Sequence, residues 1–246
     1  WPFSTRQHGW PITDCTAEGL KVMLDKPGAN SGQPDMEARL IQSAELLLSF
    51  QNRDGGWASY EQTRAPRWVE MLNPSEIFGN IMLDYSYTEC TSAAIQGLAK
   101  FKLHYPGRYA TQIQAAIRNG ARFIKAQQRA DGSWYGSWAV CFTYGTWFGV
   151  EGLLAAGEKP YSAQGQASAS IEKACRFLVN KQNADGGWGE SFDSCLQKEY
   201  VPNKESQVVN TAWALLTLMA ANYPDGAVIQ RGINYLLSMQ LPTGDF

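Results

Sequence analysis

Residues 14–18 read Asp-Cys-Thr-Ala-Glu: a carboxyl followed directly by a thiol, with a second carboxyl four residues on. In a dry site such an aspartate could serve as a general acid, because burial disfavours the anion and keeps the proton on. Taken alone, the segment has a plainer reading. Pro11 bars a helix from running in, Asp14 opens the next helix as its N-cap, and Glu18 is a first-turn acid on the same face. Cys90, in Tyr87-Thr-Glu-Cys-Thr-Ser, reads by itself as a small core residue.

The aromatic content is the second chemical signal. The chain has nine Trp, eleven Tyr and ten Phe but only two His in 246 residues. Aromatic faces attract a cation, each contributing roughly 0.5–2 kcal/mol, and they are poor bases. Five cysteines (Cys15, Cys90, Cys141, Cys175, Cys195) give an odd count with no C-x-x-C pair. That pattern argues against a zinc site and a secreted disulfide scaffold, and for reduced thiols. Net charge is 21 − 23 = −2, without the basic surplus that nucleic acid binding requires. No unbroken apolar run reaches the ~18 residues of a bilayer-spanning helix. The length can bury a substantial core. No signal peptide is expected, and both ends, at Trp1 and Phe246, are read as cut from a longer protein.

The elements that must position these residues come as a repeat. Gln51-Asn-Arg-Asp-Gly-Gly-Trp57, Gln128-Arg-Ala-Asp-Gly-Ser-Trp134 and Gln182-Asn-Ala-Asp-Gly-Gly-Trp188 share Q-x-x-D-G-x-W, and Gln240 to Phe246 keeps Gln, Gly and an aromatic. Upstream, Phe123-Ile124, Phe177-Leu178 and Tyr235-Leu236 lie at a fixed offset from Gln, and Gly120, Ala174 and Gly232 stand eight residues before it. The first copy departs, with Leu46-Leu47 and Ser43. These segments have helical period, and further amphipathic runs fall at about 16–25, 91–103, 146–156 and 208–221. Asp-Gly reads as a helix stop with Gly at positive φ. The expectation is an all-α fold of antiparallel helix pairs. Each Gln would donate to a neighbour's backbone while the Trp stacks on it, tying consecutive units together. A ligand-stacking role for Trp57, Trp134 and Trp188 is the lesser reading, because one site needs one copy.

The acidic motif and the repeats together resemble the oxidosqualene cyclases closely. Asp131-Gly-Ser-Trp-Tyr-Gly-Ser-Trp138, Cys141-Phe-Thr-Tyr-Gly-Thr-Trp-Phe148, Gly186-Gly-Trp-Gly-Glu190 and Asn210-Thr-Ala-Trp213 also look like that family. The resemblance covers the whole chain. It implies a protein of two α/α barrels, with residues 1–246 forming most of the barrel that carries the catalytic acid. The second barrel and a C-terminal closing segment would be absent. It also implies an isomerase that protonates 2,3-oxidosqualene and cyclises it to a sterol precursor, cycloartenol first and lanosterol next. No metal or cofactor would be needed. The full-length protein would attach to one face of the endoplasmic reticulum membrane or a lipid droplet.

By the same resemblance Asp14 is the acid, Cys15 and Cys90 hydrogen-bond its carboxyl, and Glu18 belongs to a path that reprotonates it. Trp138, Tyr60 and Phe3 would face the cation. Trp10, Trp147, Phe148 and Tyr144 read as core. His8 and Ile12, in His-Gly-Trp-Pro-Ile, match cycloartenol-type cyclases and would tune the product.

Other readings compete. A prenyltransferase β-subunit would need zinc on Asp, Cys and His, and only His8 and His104 are present, the latter at a helix end. A barrel glycosidase would need paired carboxylates, and Glu61, Glu76 and Asp84 carry no pairing signal. A bacterial-type squalene cyclase would carry an Asp-rich acid motif, whereas the Asp before Cys15 stands alone. A catalytically inert piece is the remaining alternative.

Overall fold

The computed structural model describes residues 1–3, 5, 7, 9–26, 34–74 and 82–246. Its described residues form helices α1 (Thr13–Asp25), α2 (Pro34–Phe50), α3 (Thr88–His104), α4 (Ala110–Gln127), α5 (Cys141–Ala155), α6 (Ala169–Val179), α7 (Asp193–Gln197), α8 (Val208–Ala220) and α9 (Gly226–Met239). A 3-10 turn covers Arg67–Leu72. Bridges such as Gln51 with Trp57 are isolated, and no strand forms among the described residues. The four amphipathic runs correspond to α1, α3, α5 and α8, and the segments upstream of the motifs to α2, α4, α6 and α9. The chain divides into two compact units, Trp1–Ile124 and Lys125–Phe246.

In the first unit α1 packs on α3 and α2. The approach to α3 is close: a Cβ added at Gly97 would stand 3.2 Å from the Ala17 backbone. Leu20, Leu24, Leu40, Leu47, Ile95 and Leu98 fill the core. In the second unit α5 packs on α8 and α6, and α8 on α9, around Val150, Leu153, Leu178, Leu215 and Leu218.

The repeated motif is a structural staple, and its bonding recurs copy by copy. Gln51 Nε2 donates to the carbonyls of Gly55 (2.8 Å) and Ala116 (2.9 Å). Gln128 reaches Gly132 and Ser170, and Gln182 reaches Gly186 and Val228. One bond closes the motif's own turn, and the other satisfies a carbonyl in the first half of the next helix. Gly55, Gly132 and Gly186 all have φ near +90°, where L side chains rarely sit. These glycines stand in the turn beyond the helix, so the helix ends before Gln and the positive φ serves the turn. Asp54 supports that turn by accepting the Gly56 amide.

Trp57, Trp134 and Trp188 are fully buried, which removes the ligand-stacking reading. The indole N–H of Trp57 donates to Leu47 O and that of Trp188 to Leu178 O. Their rings rest on the glycine eight residues before the next Gln. A Cβ at Gly120 would lie 2.9 Å from Trp57 Cζ3, and one at Gly232 2.9 Å from Trp188 Cζ3. That close approach accounts for small residues at this place in the repeat.

Candidate active site

Asp14 occupies the second residue of α1 and is half-buried. The N-cap is Ile12, which makes no side-chain cap bond, so the N-cap reading of Asp14 is corrected. The helix start is instead fixed from outside. Thr13 N donates to Ser59 O at 2.8 Å, and Thr13 Oγ1 donates to Ala58 O at 2.6 Å. The turn that leaves Trp57 therefore decides where α1 begins and where the Asp14 carboxyl stands.

Asp14 Oδ1 accepts the Cys15 amide at 2.7 Å. Burial pushes the Cys15 thiol up from its ordinary value, followed by the charge of Asp14 and a hydrogen bond to its carboxyl. Cys90 is buried in α3, and its thiol is pushed well up by burial first and by the charge of Asp14 second. Its hydrogen-bond partner is Ser59 Oγ, at 3.7 Å, rather than the Asp14 carboxyl. Ser59 thus touches both components, its carbonyl holding the start of α1 and its hydroxyl meeting Cys90.

Ser59 is itself held by Asp84. The Asp84 carboxylate accepts the amides of Ser59 (3.0 Å), Tyr60 (2.6 Å) and Glu61 (3.3 Å). Burial raises its pKa, and the amides of Tyr60 and Ser59 partly offset that rise. Sequence reading weighed Asp84 as a hydrolytic carboxylate and passed over Ser59. The usable signal was position: Ser59 stands two residues after a motif Trp, as Glu190 does after Trp188.

Glu190 performs the matching task in the second unit. It is buried, and it accepts the amides of Cys141 (3.2 Å), Phe142 (2.9 Å) and Thr143 (2.9 Å) and the Thr143 hydroxyl (2.7 Å). A carboxylate at these free amides suits the positive end of α5.

The remaining expected site residues distribute as follows. Glu18 is exposed and ion-paired with Lys21 at 2.7 Å, one turn further along α1 than Asp14. Ile12 is buried next to the start of α1. His8 lies outside the described residues, as does Glu76. Phe3 is 83% exposed and Tyr60 47% in the first unit, and Trp138 is 59% exposed in the second. Trp10, expected in the core, is 57% exposed, in the segment ahead of α1. Tyr144 is buried, and its hydroxyl accepts the Trp138 amide at 2.6 Å, fixing that loop.

Trp147 and Phe148 are half-buried and form an aromatic group with Trp213 of α8. Ring centroids lie 4.4 Å apart for Trp147 and Trp213 and 4.6 Å for Trp147 and Phe148. Residues 147 and 148 on α5 and 213 on α8 meet because those helices pack together, which spacing along the chain does not reveal. Among the described residues no group of three His, Cys, Asp or Glu converges as for a metal ion.

The family model for the squalene-hopene cyclase C-terminal domain matches residues 1–246. Over 247 residues, 100% of this chain, the sequence is 56% identical to cycloartenol synthase of Dictyostelium discoideum. It is 48% identical to lanosterol synthase of Mus musculus over 99% of the chain, and 46% identical to that of Homo sapiens, also over 99%. The chain covers 34%, 33% and 33% of these proteins, so it spans about a third of the length of the curated relatives it matches. In fold it resembles a type II terpene cyclase from Scytonema, with a TM-score of 0.54 at 21% identity over 95% of this chain and 56% of that one.

Proposed function

The chain belongs to the squalene-hopene cyclase C-terminal domain family, and on that footing we propose that it is the acid-bearing part of an oxidosqualene cyclase. Residues 1–246 form most of one α/α barrel, and a C-terminal closing segment and a second barrel lie outside these residues. The substrate is 2,3-oxidosqualene and the product a sterol precursor, cycloartenol ahead of lanosterol. Ile12 beside the acid and the cycloartenol synthase relative both favour that order.

Asp14 delivers its proton to the epoxide oxygen. As the carbon–oxygen bond opens, the nearest double bond attacks the electron-poor carbon, and the cation passes along the folded chain. The acid becomes a carboxylate in this step, and its new charge meets a donor already in place. The Cys15 amide bonds Oδ1, and the Cys15 thiol is the next group along the chain. Donors preset where charge develops lower the barrier without reorganisation. Cys90 and Ser59 position this group from α3 and from the motif turn. Aromatic faces, Tyr60 and Phe3 in the unit that carries Asp14, hold the migrating cation electrostatically and do not deprotonate it. Glu18 lies on the solvent side of α1, a fitting place for returning a proton to Asp14. No metal or organic cofactor takes part. The apolar substrate implies attachment to one membrane face at the endoplasmic reticulum or a lipid droplet; among the described residues no helix is long and apolar enough to cross a membrane.

The observation that carries this reading is the Asp14 carboxyl at the start of α1, held by the Cys15 amide. The test is Asp14→Asn in the full-length protein, expressed in yeast lacking its own cyclase. Sterol chromatography should show product from the parent and none from the variant, at equal protein levels. Product at parental levels from the variant would overturn the assignment of the acid.

A further inference from the structure

We propose that Cys141 and Cys195 form a reversible disulfide site, closed by exchange with a low-molecular-weight disulfide such as glutathione disulfide. Their sulfurs lie 2.8 Å apart, whereas unbonded heavy atoms settle at about 3.5–4.0 Å. A disulfide bond of about 2.05 Å needs only a small further approach. Both thiols are free in the structure.

The two cysteines differ in access. Cys141, the first residue of α5, is fully buried, and Cys195, in α7, is half-buried. Cys195 is therefore the entry point. Its thiolate attacks one sulfur of glutathione disulfide, and one glutathione thiolate leaves. Cys141 then loses its proton and attacks the Cys195 sulfur of the mixed disulfide, expelling the second glutathione. Two protein thiols and one small disulfide become one protein disulfide and two small thiols, with both protons carried by the leaving glutathiones. Burial, then the bond to Cys195, push the Cys141 thiol well up, so the second step is the slow one.

The location gives the bond a consequence. Gly136 N donates to Cys141 O at 2.9 Å and closes the loop that carries Trp138, and Cys195 Sγ also reaches Ala139 O at 3.9 Å. Glu190 already joins the amides of α5 to the segment preceding α7. The disulfide would bind α7 covalently to the base of the Trp138 loop.

The test equilibrates the intact protein in glutathione buffers of rising oxidised fraction, followed by acid quench, alkylation after unfolding, and peptide mass mapping. The expected result is joint loss of alkylation at Cys141 and Cys195. A linked peptide two hydrogens lighter than the two thiol peptides together should appear, and dithiothreitol should reverse it. Buried Cys175 should stay alkylatable throughout. Cys195→Ser should leave Cys141 alkylatable, and Cys141→Ser should accumulate Cys195 as its glutathione adduct. Cys141 alkylated across the whole series, or that adduct as the end product in the unsubstituted protein, would overturn the proposal.

Discussion

The carbonyl of Ser59 accepts the amide of Thr13 at 2.8 Å, so a turn 46 residues downstream sets the first helical residue before Asp14. Glu190, also two residues after a motif Trp, holds the start of α5 through its carboxylate. In both units the chain emerging from the motif returns to the start of the earlier helix of its pair, by backbone in one case and by side chain in the other.

Asp84 holds the Ser59 turn, and its raised pKa gives the support a pH dependence. The folded state keeps this proton more tightly than the unfolded chain. The group's contribution to stability is thus full below the ordinary aspartate value of about 3.9 and declines as pH rises through the raised folded value. Asp84→Asn removes that slope and turns one accepting oxygen into an amide donor that faces backbone N–H groups, costing about 1–3 kcal/mol. Urea midpoints for parent and variant should show the largest gap at the acid end, narrowing as pH rises; a gap that widens with pH would contradict this.

Gly120→Ala places a methyl 2.9 Å from both Trp57 Cζ3 and Ile95 Cδ1. Overpacking of this kind costs about 1–3 kcal/mol. Gly226→Ala, at the start of α9 with open space around the new methyl, should be neutral or stabilising by up to about 1 kcal/mol. Thermal unfolding of the two variants separates the ring contact from any general effect of replacing glycine.

Gln128→Glu sets a carboxylate against the Gly132 and Ser170 carbonyls, which the parent amide satisfies as a donor. Gln128→Ala only removes the donor, at about 1–3 kcal/mol for leaving buried carbonyls unmet. The Glu variant should be the less stable of the two at neutral pH and should recover towards the Ala variant as the new carboxyl is protonated. Equal midpoints at pH 7 would mean that the amide's direction is irrelevant.

Glu190→Gln keeps the shape of the side chain but offers one amide nitrogen to donors that need acceptors. With four such donors around it, the substitution should cost about 2–3 kcal/mol and loosen the first turn of α5. Hydrogen exchange at the Phe142 and Thr143 amides should rise by more than that at Leu153, further along the same helix. Uniform acceleration along α5 would indicate global unfolding instead.

The sequence by itself determined the helix pairs, because apolar period and the Asp-Gly turn are local signals. It also determined the staple, because one Gln, one Gly and one Trp recur at fixed offsets and each copy must do the same work. The Asp14-Cys15 motif was legible through resemblance, but its setting was not. Asp14 was readable as an N-cap, yet the tertiary structure gives that place to Ile12 and hands the start of α1 to Ser59. Cys90 was read by resemblance as a partner of Asp14, and the hydrogen bond that the fold gives it is to the Ser59 hydroxyl. Tertiary packing alone decided the clasp of Glu190 on α5, the rest of Trp57 on Gly120 and the meeting of Cys141 with Cys195. In each of these the partners lie tens of residues apart, on elements whose relative placement depends on how whole helical faces bury. Local residue types constrain the elements, but only that burial selects which distant side chains meet.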